Sequence, residues 1–293
     1  MKQLVSKLQY FYYEIGEFSD IERRSLEQTM DLLRNYPWDE QRRSSFVGLN
    51  GASVTIEGHS GRFLKAGLYY HGKFILYLLN ERKKLFLKIV DTWNELELAV
   101  RDFYENVPDH DFVKYLEWVR KPSRYFVTKD FGYKVSGKRI LRFLALPLGF
   151  TILTSPALLL GFNRSKVDIG MIAALTLVFI LLVGIKLLLF FNYYWYSRKL
   201  YLKISRGIDT FAFGTLGKME QYSKQDIEWV KEYSCQGQRV PWNDCYVYVI
   251  RMKNGKELKL TNLLISSFIF GEKFPGHEVR TVNKPFATVY NCP

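Results

Sequence analysis

The sequence predicts a membrane α+β protein, and three observations carry that reading. Two long apolar runs stand close together in the middle of the chain. The segments on either side break into short runs of aromatic and aliphatic residues divided by turn residues, with helical spacing mainly before residue 122. The positive charge gathers around the apolar runs rather than along the whole chain.

The first apolar run, Phe143 to Phe162, holds 20 residues without a charge. At about 1.5 Å per residue a helix of that length covers roughly 30 Å, the thickness of bilayer hydrocarbon. The second run, Ile169 to Phe191, has 23 residues and a single charge, Lys186. Together they predict a two-helix transmembrane hairpin over residues 143–191, because a helix satisfies its own backbone hydrogen bonds in lipid. Pro156 predicts a kink in the first helix, since it removes one of those bonds.

The net charge of +13 invites a nucleic-acid partner, and its location argues against one. Residues 1–120 hold 17 Lys/Arg against 18 Asp/Glu, whereas residues 121–210 hold 14 against 3. Basic residues beside membrane spans stay on the cytoplasmic side. Both termini are therefore expected in the cytoplasm, with a short outer loop, in a multi-pass protein of the inner (cytoplasmic) cell membrane. Bases could stack on the aromatics after Phe190, but these end an apolar helix, where Tyr and Trp favour the headgroup layer. The expected membrane-interface residues are Arg142, Lys186, Tyr193, Tyr194, Trp195, Tyr196, Arg198 and Lys199. Neither span contains an acid to pair with Lys186, so its long stem is expected to carry the ammonium out to the interface.

Residues 1–122 read as a cytoplasmic α+β domain. Leu4, Leu8, Phe11 and Ile15 have helical spacing. Ser19 with Glu22 forms a capping-box pattern ahead of Ile21, Leu26, Met30 and Leu33, and Pro37 stops that helix. Four strands follow, "ASVTIEG", "RFLKAGLYY", "KFILYLLN" and "KLFLKIV", whose tight links predict an antiparallel meander. Asp91 or Thr92 opens another helix, and "PDHDFVKYLEWVR" reads as one more. Residues 123–142 form a basic linker.

Residues 193–293 return to strands: "KLYLKIS", "IDTFAFG", "KMEQYS", "IEWVKEYS", "CYVYVIRM" and "KELKLTNLL". The link "KNGK" is a strong hairpin signal, because Asn254 and Gly255 both tolerate positive φ. The strand "KLYLKISRGI", its partner "DTFAFGTLGKMEQYS", the step "KQDIEWV" and the "VIRMKNGKELKLTN" hairpin resemble the bacterial pleckstrin-homology-like domains that follow a two-helix membrane hairpin. The likeness covers roughly residues 193–275. It implies a small β-barrel or bent sheet that assembles or binds proteins and has no catalytic residues. The insertion "CQGQRVPWNDC" and the tail after Phe274 depart from that pattern. Phosphoinositide binding would need a convergent basic pocket, and Lys218, Lys224 and Lys231 alternate with acids.

Little else points to chemistry. Cys235, Cys245 and Cys292 have neither zinc-site nor disulfide-framework spacing and read as reduced thiols. His59, His71, His110 and His277 fall at turns or a helix start, and no glycine pattern makes a phosphate-cradling loop. No catalytic, cofactor-binding or metal-binding residue is expected, and no cofactor. The expected function is a non-enzymatic membrane protein presenting two cytoplasmic domains for protein binding or assembly. Its expected partners are the lipid bilayer and a protein, either a toxin or a second copy of the chain in a homo-oligomer, and no nucleic acid. The alternatives are a bacterial immunity protein that neutralises a competitor's toxin, or a membrane-perturbing sensor or effector.

Overall fold

The structure of the chain is a computed structural model that describes residues 2–44, 46–108, 110–115, 119–145, 147–149, 169–235, 240 and 242–292. It divides into two units. The first comprises Met1–Asp130 together with Ser205–Ile208, the second Phe131–Ile204 with Asp209–Pro293.

In the first unit, β1 (Leu4–Gln9), β2 (Ser19–Arg24), β3 (Ser53–Glu57), β4 (Phe63–Leu68), β5 (Phe74–Leu79), β6 (Leu85–Val90) and β7 (Val113–Lys114) form one sheet, ordered β2-β1-β3-β4-β5-β6-β7. Every pairing is antiparallel. Alternate residues of a strand point to opposite faces. One face, with Leu4, Leu8, Val54, Ile56, Leu64 and Leu76, packs on the apolar sides of α1 (Leu26–Asn35) and α3 (Trp93–Glu105). The short α2 (Trp38–Ser44) adds Trp38 to that core. The other face buries Phe63, Ile75, Tyr77 and Leu79 under Phe126. Burial on both faces explains why β5 is an unbroken apolar run, "FILYLL".

Three local expectations give way here. "LVSKLQ" is a strand, not a helix. Leu4 and Leu8 are four apart, which fits the period of a helix and that of a strand equally, and pairing with β2 and β3 on both sides satisfies the backbone. The capping box of α1 lies at Ser25, not Ser19: Gln28 N donates to Ser25 Oγ at 3.3 Å and Ser25 N donates to Gln28 Oε1 at 2.9 Å. Ser19 begins β2 instead. Val113–Lys114 joins the sheet edge, where a helix was expected; residues 116–118 of that stretch lie outside the described residues. Thr92 caps α3 as expected, accepting from Glu95 N at 3.3 Å.

The second unit holds β8 (Gly132–Lys134), α4 (137–145), α5 (Ile169–Ser197), β9 (Leu200–Lys203), β10 (Thr210–Thr215), β11 (Lys218–Ser223), β12 (Ile227–Ser234), β13 (Tyr246–Met252), β14 (Glu257–Thr261), α6 (Ser267–Lys273) and β15 (Val279–Asn283). It contains two four-stranded sheets, ordered β11-β10-β9-β8 and β14-β13-β12-β15, and β15 runs parallel to β12. Leu202, Phe211 and Phe213 from the first sheet share a core with Val230, Tyr248, Ile250 and Leu258 from the second. Helix α6 closes that core with Phe270, stacked on Tyr248 at 3.8 Å between ring centroids, and with Phe274 at its C-terminal end. The β13–β14 hairpin turns at Asn254-Gly255, where only Gly255 takes positive φ, +87°. Residues 123–142, read as a linker, hold a single 3₁₀ turn, the buried Phe126, β8 and the start of α4.

The membrane expectation is corrected. Among the described residues no helix is long and apolar enough to cross a membrane. That overturns the two-helix transmembrane hairpin and the multi-pass membrane placement built on it. Residues 150–162 of the first run lie outside the described residues. The physical reason is visible where α5 ends: Leu189, Phe190 and Tyr193, with Phe143 of α4, pack against Tyr233, Val247, Val249 and Leu263 in a second core of the β unit. Apolar side chains that would have faced lipid serve there as domain interior. Lys186 does not reach for an interface either. It is 2% exposed, and its Nζ donates to both carboxylate oxygens of Asp244, at 2.7 and 2.9 Å. The acid missing from the apolar runs comes from the loop before β13.

Candidate functional site

Four consecutive antiparallel strands bring the end of β8, the start of β9, the end of β10 and the start of β11 to one end of the sheet. The pairs Lys134↔Tyr201, Thr215↔Leu200 and Thr215↔Lys218 set that register. Helix α5 enters β9 at the same end through Arg198 and Lys199. A recess of about 760 Å³ lies there, lined by Lys134, Arg198, Lys199, Leu216 and Lys218 among others, and among the described residues no carboxylate lines it. The β10–β11 turn, "TLGK", places Gly217 at φ +95° and presents Leu216 outward, 77% exposed. The Arg198 guanidinium lies 3.9 Å from the ring centre of Trp195, itself 59% exposed. This stacking holds the cation in a fixed direction while leaving its N–H groups free to donate.

Trp195 continues a line up α5. Leu188, Phe191 and Trp195 are exposed and spaced three and four apart, so they share one side of the helix. The arrangement is therefore an apolar stripe that ends in a cationic recess.

Of the expected interface residues, the structure brings Arg198 and Lys199 into the recess and sets Trp195 beside Arg198. Arg142 is exposed on α4. Tyr193 is fully buried and donates its hydroxyl to Ala287 O. Tyr194 stacks on Phe190, and Tyr196 donates to Lys259 O at 3.3 Å. Sequence reasoning missed Lys134 and Leu216. It considered Lys218 only with Lys224, which is buried, and with Lys231, which lies over Trp229 at 4.2 Å. The turn "TLGK" was the available signal, because a two-residue hairpin link fixes which strand ends meet.

Two buried groups of the second unit are held in their protonated forms. Burial pushes the Tyr193 hydroxyl and the Cys245 thiol up, so neither forms a nucleophilic anion readily. Among the described residues no group of three or more His, Cys, Asp or Glu stands together as metal ligands would.

A protein-family profile described as a PH domain matches residues 132–273. The matched stretch begins with β8 and ends with α6, so the chain carries a PH-like domain whose helical segment is inserted between its first two strands. No curated protein and no solved structure matches the chain.

Proposed function

We propose that the chain is a non-enzymatic binding protein whose PH-like domain docks on phosphate-bearing anionic lipid headgroups through the recess of Lys134, Arg198, Lys199 and Lys218. The observation that carries this reading is the convergence of four cations, with no lining carboxylate among the described residues, beside the exposed Leu216 and Trp195. Phosphate oxygens accept from Arg and Lys, and an apolar tip among cations suits a headgroup layer with acyl chains beneath it. This is surface docking and requires no spanning helix.

The full chain is mixed with phosphatidylcholine vesicles, with or without phosphatidylserine or a phosphoinositide, and sedimented. Binding is expected only to the anionic vesicles and should weaken with salt. Each basic residue near an anionic surface contributes about 1 kcal/mol, so K134E/K199E/K218E is expected to weaken binding by at least about 100-fold. Equal binding to neutral vesicles, or no effect of the charge reversal, would overturn the proposal. Competition by a soluble inositol phosphate separates recognition of the headgroup from recognition of the bilayer surface.

A further inference from the structure

Lys7, Thr55 and Lys65 stand side by side across β1, β3 and β4, as the direct pairs Lys7↔Thr55 and Thr55↔Lys65. Residues opposite one another in an antiparallel pair point to the same face, with Cβ atoms about 5 Å apart. The Thr55 side chain thus stands between two lysine stems. All three residues are buried, at 2%, 0% and 1% exposure in that order. Aromatic rings enclose the amines: Lys7 Nζ lies 4.5 Å from the Phe18 ring centre and 5.6 Å from that of Phe63, and Lys65 Nζ lies 5.5 Å from Phe18 and 5.8 Å from Phe126.

The charges in this row do not balance. Lys65 Nζ donates to two neutral acceptors, Gln9 Oε1 at 2.6 Å and Tyr125 O at 3.0 Å. Lys7 Nζ meets Thr128 Oγ1 at 3.4 Å and, among the described residues, forms an ion pair only with Glu57, at 3.9 Å, whose side chain is 44% exposed. Two buried amines therefore share one distant, solvent-facing carboxylate. Between them, Thr55 Oγ1 has no hydrogen-bond partner among the described residues. An orphaned hydroxyl at full burial costs free energy, and so does a buried ammonium without a counter-charge. The strain on the amines is consistent with this: burial lowers both lysines, and the charge of Lys7 lowers Lys65 further.

Two buried amines and a buried hydroxyl stand on one face of three adjacent strands, beneath three rings, with more donors than acceptors. That pattern complements a small anion. A monatomic ion asks for less room and fewer donors than a carboxylate or phosphate does. We propose that the first unit binds a halide-class monovalent anion, chloride being the abundant one, between Lys7, Thr55 and Lys65. The anion would supply the missing counter-charge and the missing acceptor together, and would tie β1, β3 and β4 at the centre of the sheet.

The test is hydrogen exchange of the β3 and β4 amides of the full chain at neutral pH, in sodium chloride against sodium gluconate at equal ionic strength. A ligand that binds only the folded form shifts the opening equilibrium in proportion to its concentration once above its dissociation constant. Each tenfold increase in chloride should then slow exchange of these amides about tenfold, with no such effect of gluconate. T55V should weaken the chloride response several-fold, and K7M/K65M should abolish it. Equal protection in the two salts, or a chloride response that survives K7M/K65M, would overturn the proposal. Bromide-soaked crystals of the wild-type chain give a readout independent of any variant's folding: an anomalous peak within hydrogen-bond reach of Thr55 Oγ1 and the amines supports the site, and its absence refutes it.

Discussion

Asp244→Ala tests the central correction, that α5 ends inside a protein core with a lysine paired there. Removing one partner of a fully buried ion pair costs about 3–5 kcal/mol, because it strands the other charge. Lys186 is 2% exposed, but the Asp244 side chain is 50% exposed, so water can replace part of what the carboxylate supplies. The expected loss is therefore about 2 kcal/mol, between the buried and surface limits. With a urea slope of about 1–3 kcal/mol per molar, the unfolding midpoint of the second unit should fall by roughly 1 M. Lys186→Met keeps an apolar stem and removes the charged Nζ, which lies 5.3 Å from the Phe143 ring centre. In that background Asp244→Ala should cost little, so the double-mutant cycle should return a coupling of about 2 kcal/mol. If the Lys186 ammonium were instead solvated at the end of an apolar helix, Asp244→Ala would cost under about 0.5 kcal/mol and the coupling would vanish; that result would refute the reasoning.

Three further outcomes are expected. Burial lowers Lys7 from 10.5 to about 8, so the folded form takes up its proton later than the unfolded chain as pH falls. Its unfavourable contribution is absent above pH 10.5, grows as pH falls towards 8 and is constant below that; it amounts to about 3 kcal/mol. Denaturation of the first unit should thus show stability rising from pH 8 to 10.5, and Lys7→Met should reduce that slope without removing it, because burial lowers Lys65 too. Gly207→Ala should destabilise the first unit by about 1–3 kcal/mol in thermal unfolding, because a Cβ there would sit 2.2 Å from the Tyr13 ring while Gly207 N is held by Glu17 Oε1 at 2.7 Å. Cys235, Cys245 and Cys292 are all buried, and burial pushes the Cys245 and Cys292 thiols up, so an aromatic disulfide reagent at pH 8 should titrate no thiol in the native chain and all three in urea.

The parts of the fold legible in the sequence are those where local chemistry is decisive. The four strands from Ser53 to Val90 are bounded by turn residues, Thr92 caps α3, and Asn254-Gly255 closes a hairpin. The misread parts are those where local pattern is ambiguous. A Leu4–Leu8 interval fits helix and strand alike, and Ser19 and Ser25 both precede a glutamate or glutamine at the capping distance. Gly132–Lys134 is too short to show alternation, so the first strand of the PH-like domain passed for linker. In the candidate site, Arg198 and Lys199 were singled out from their neighbours in sequence, whereas Lys134 and Lys218 lie far away along the chain and join them only through strand register.

By itself the sequence determined composition, charge and the local devices of turn, cap and strand, since these depend on residues a few positions apart. It pointed as well to a helix leading up to residue 191. What covers that helix was decided by tertiary structure alone. Apolar side chains lower their free energy by leaving water, whether for lipid or for a protein core, and their order along the chain is the same in either case. Strand β13 supplies Val247 and Val249, the turn after β14 supplies Leu263, and the loop before β13 supplies the carboxylate for Lys186.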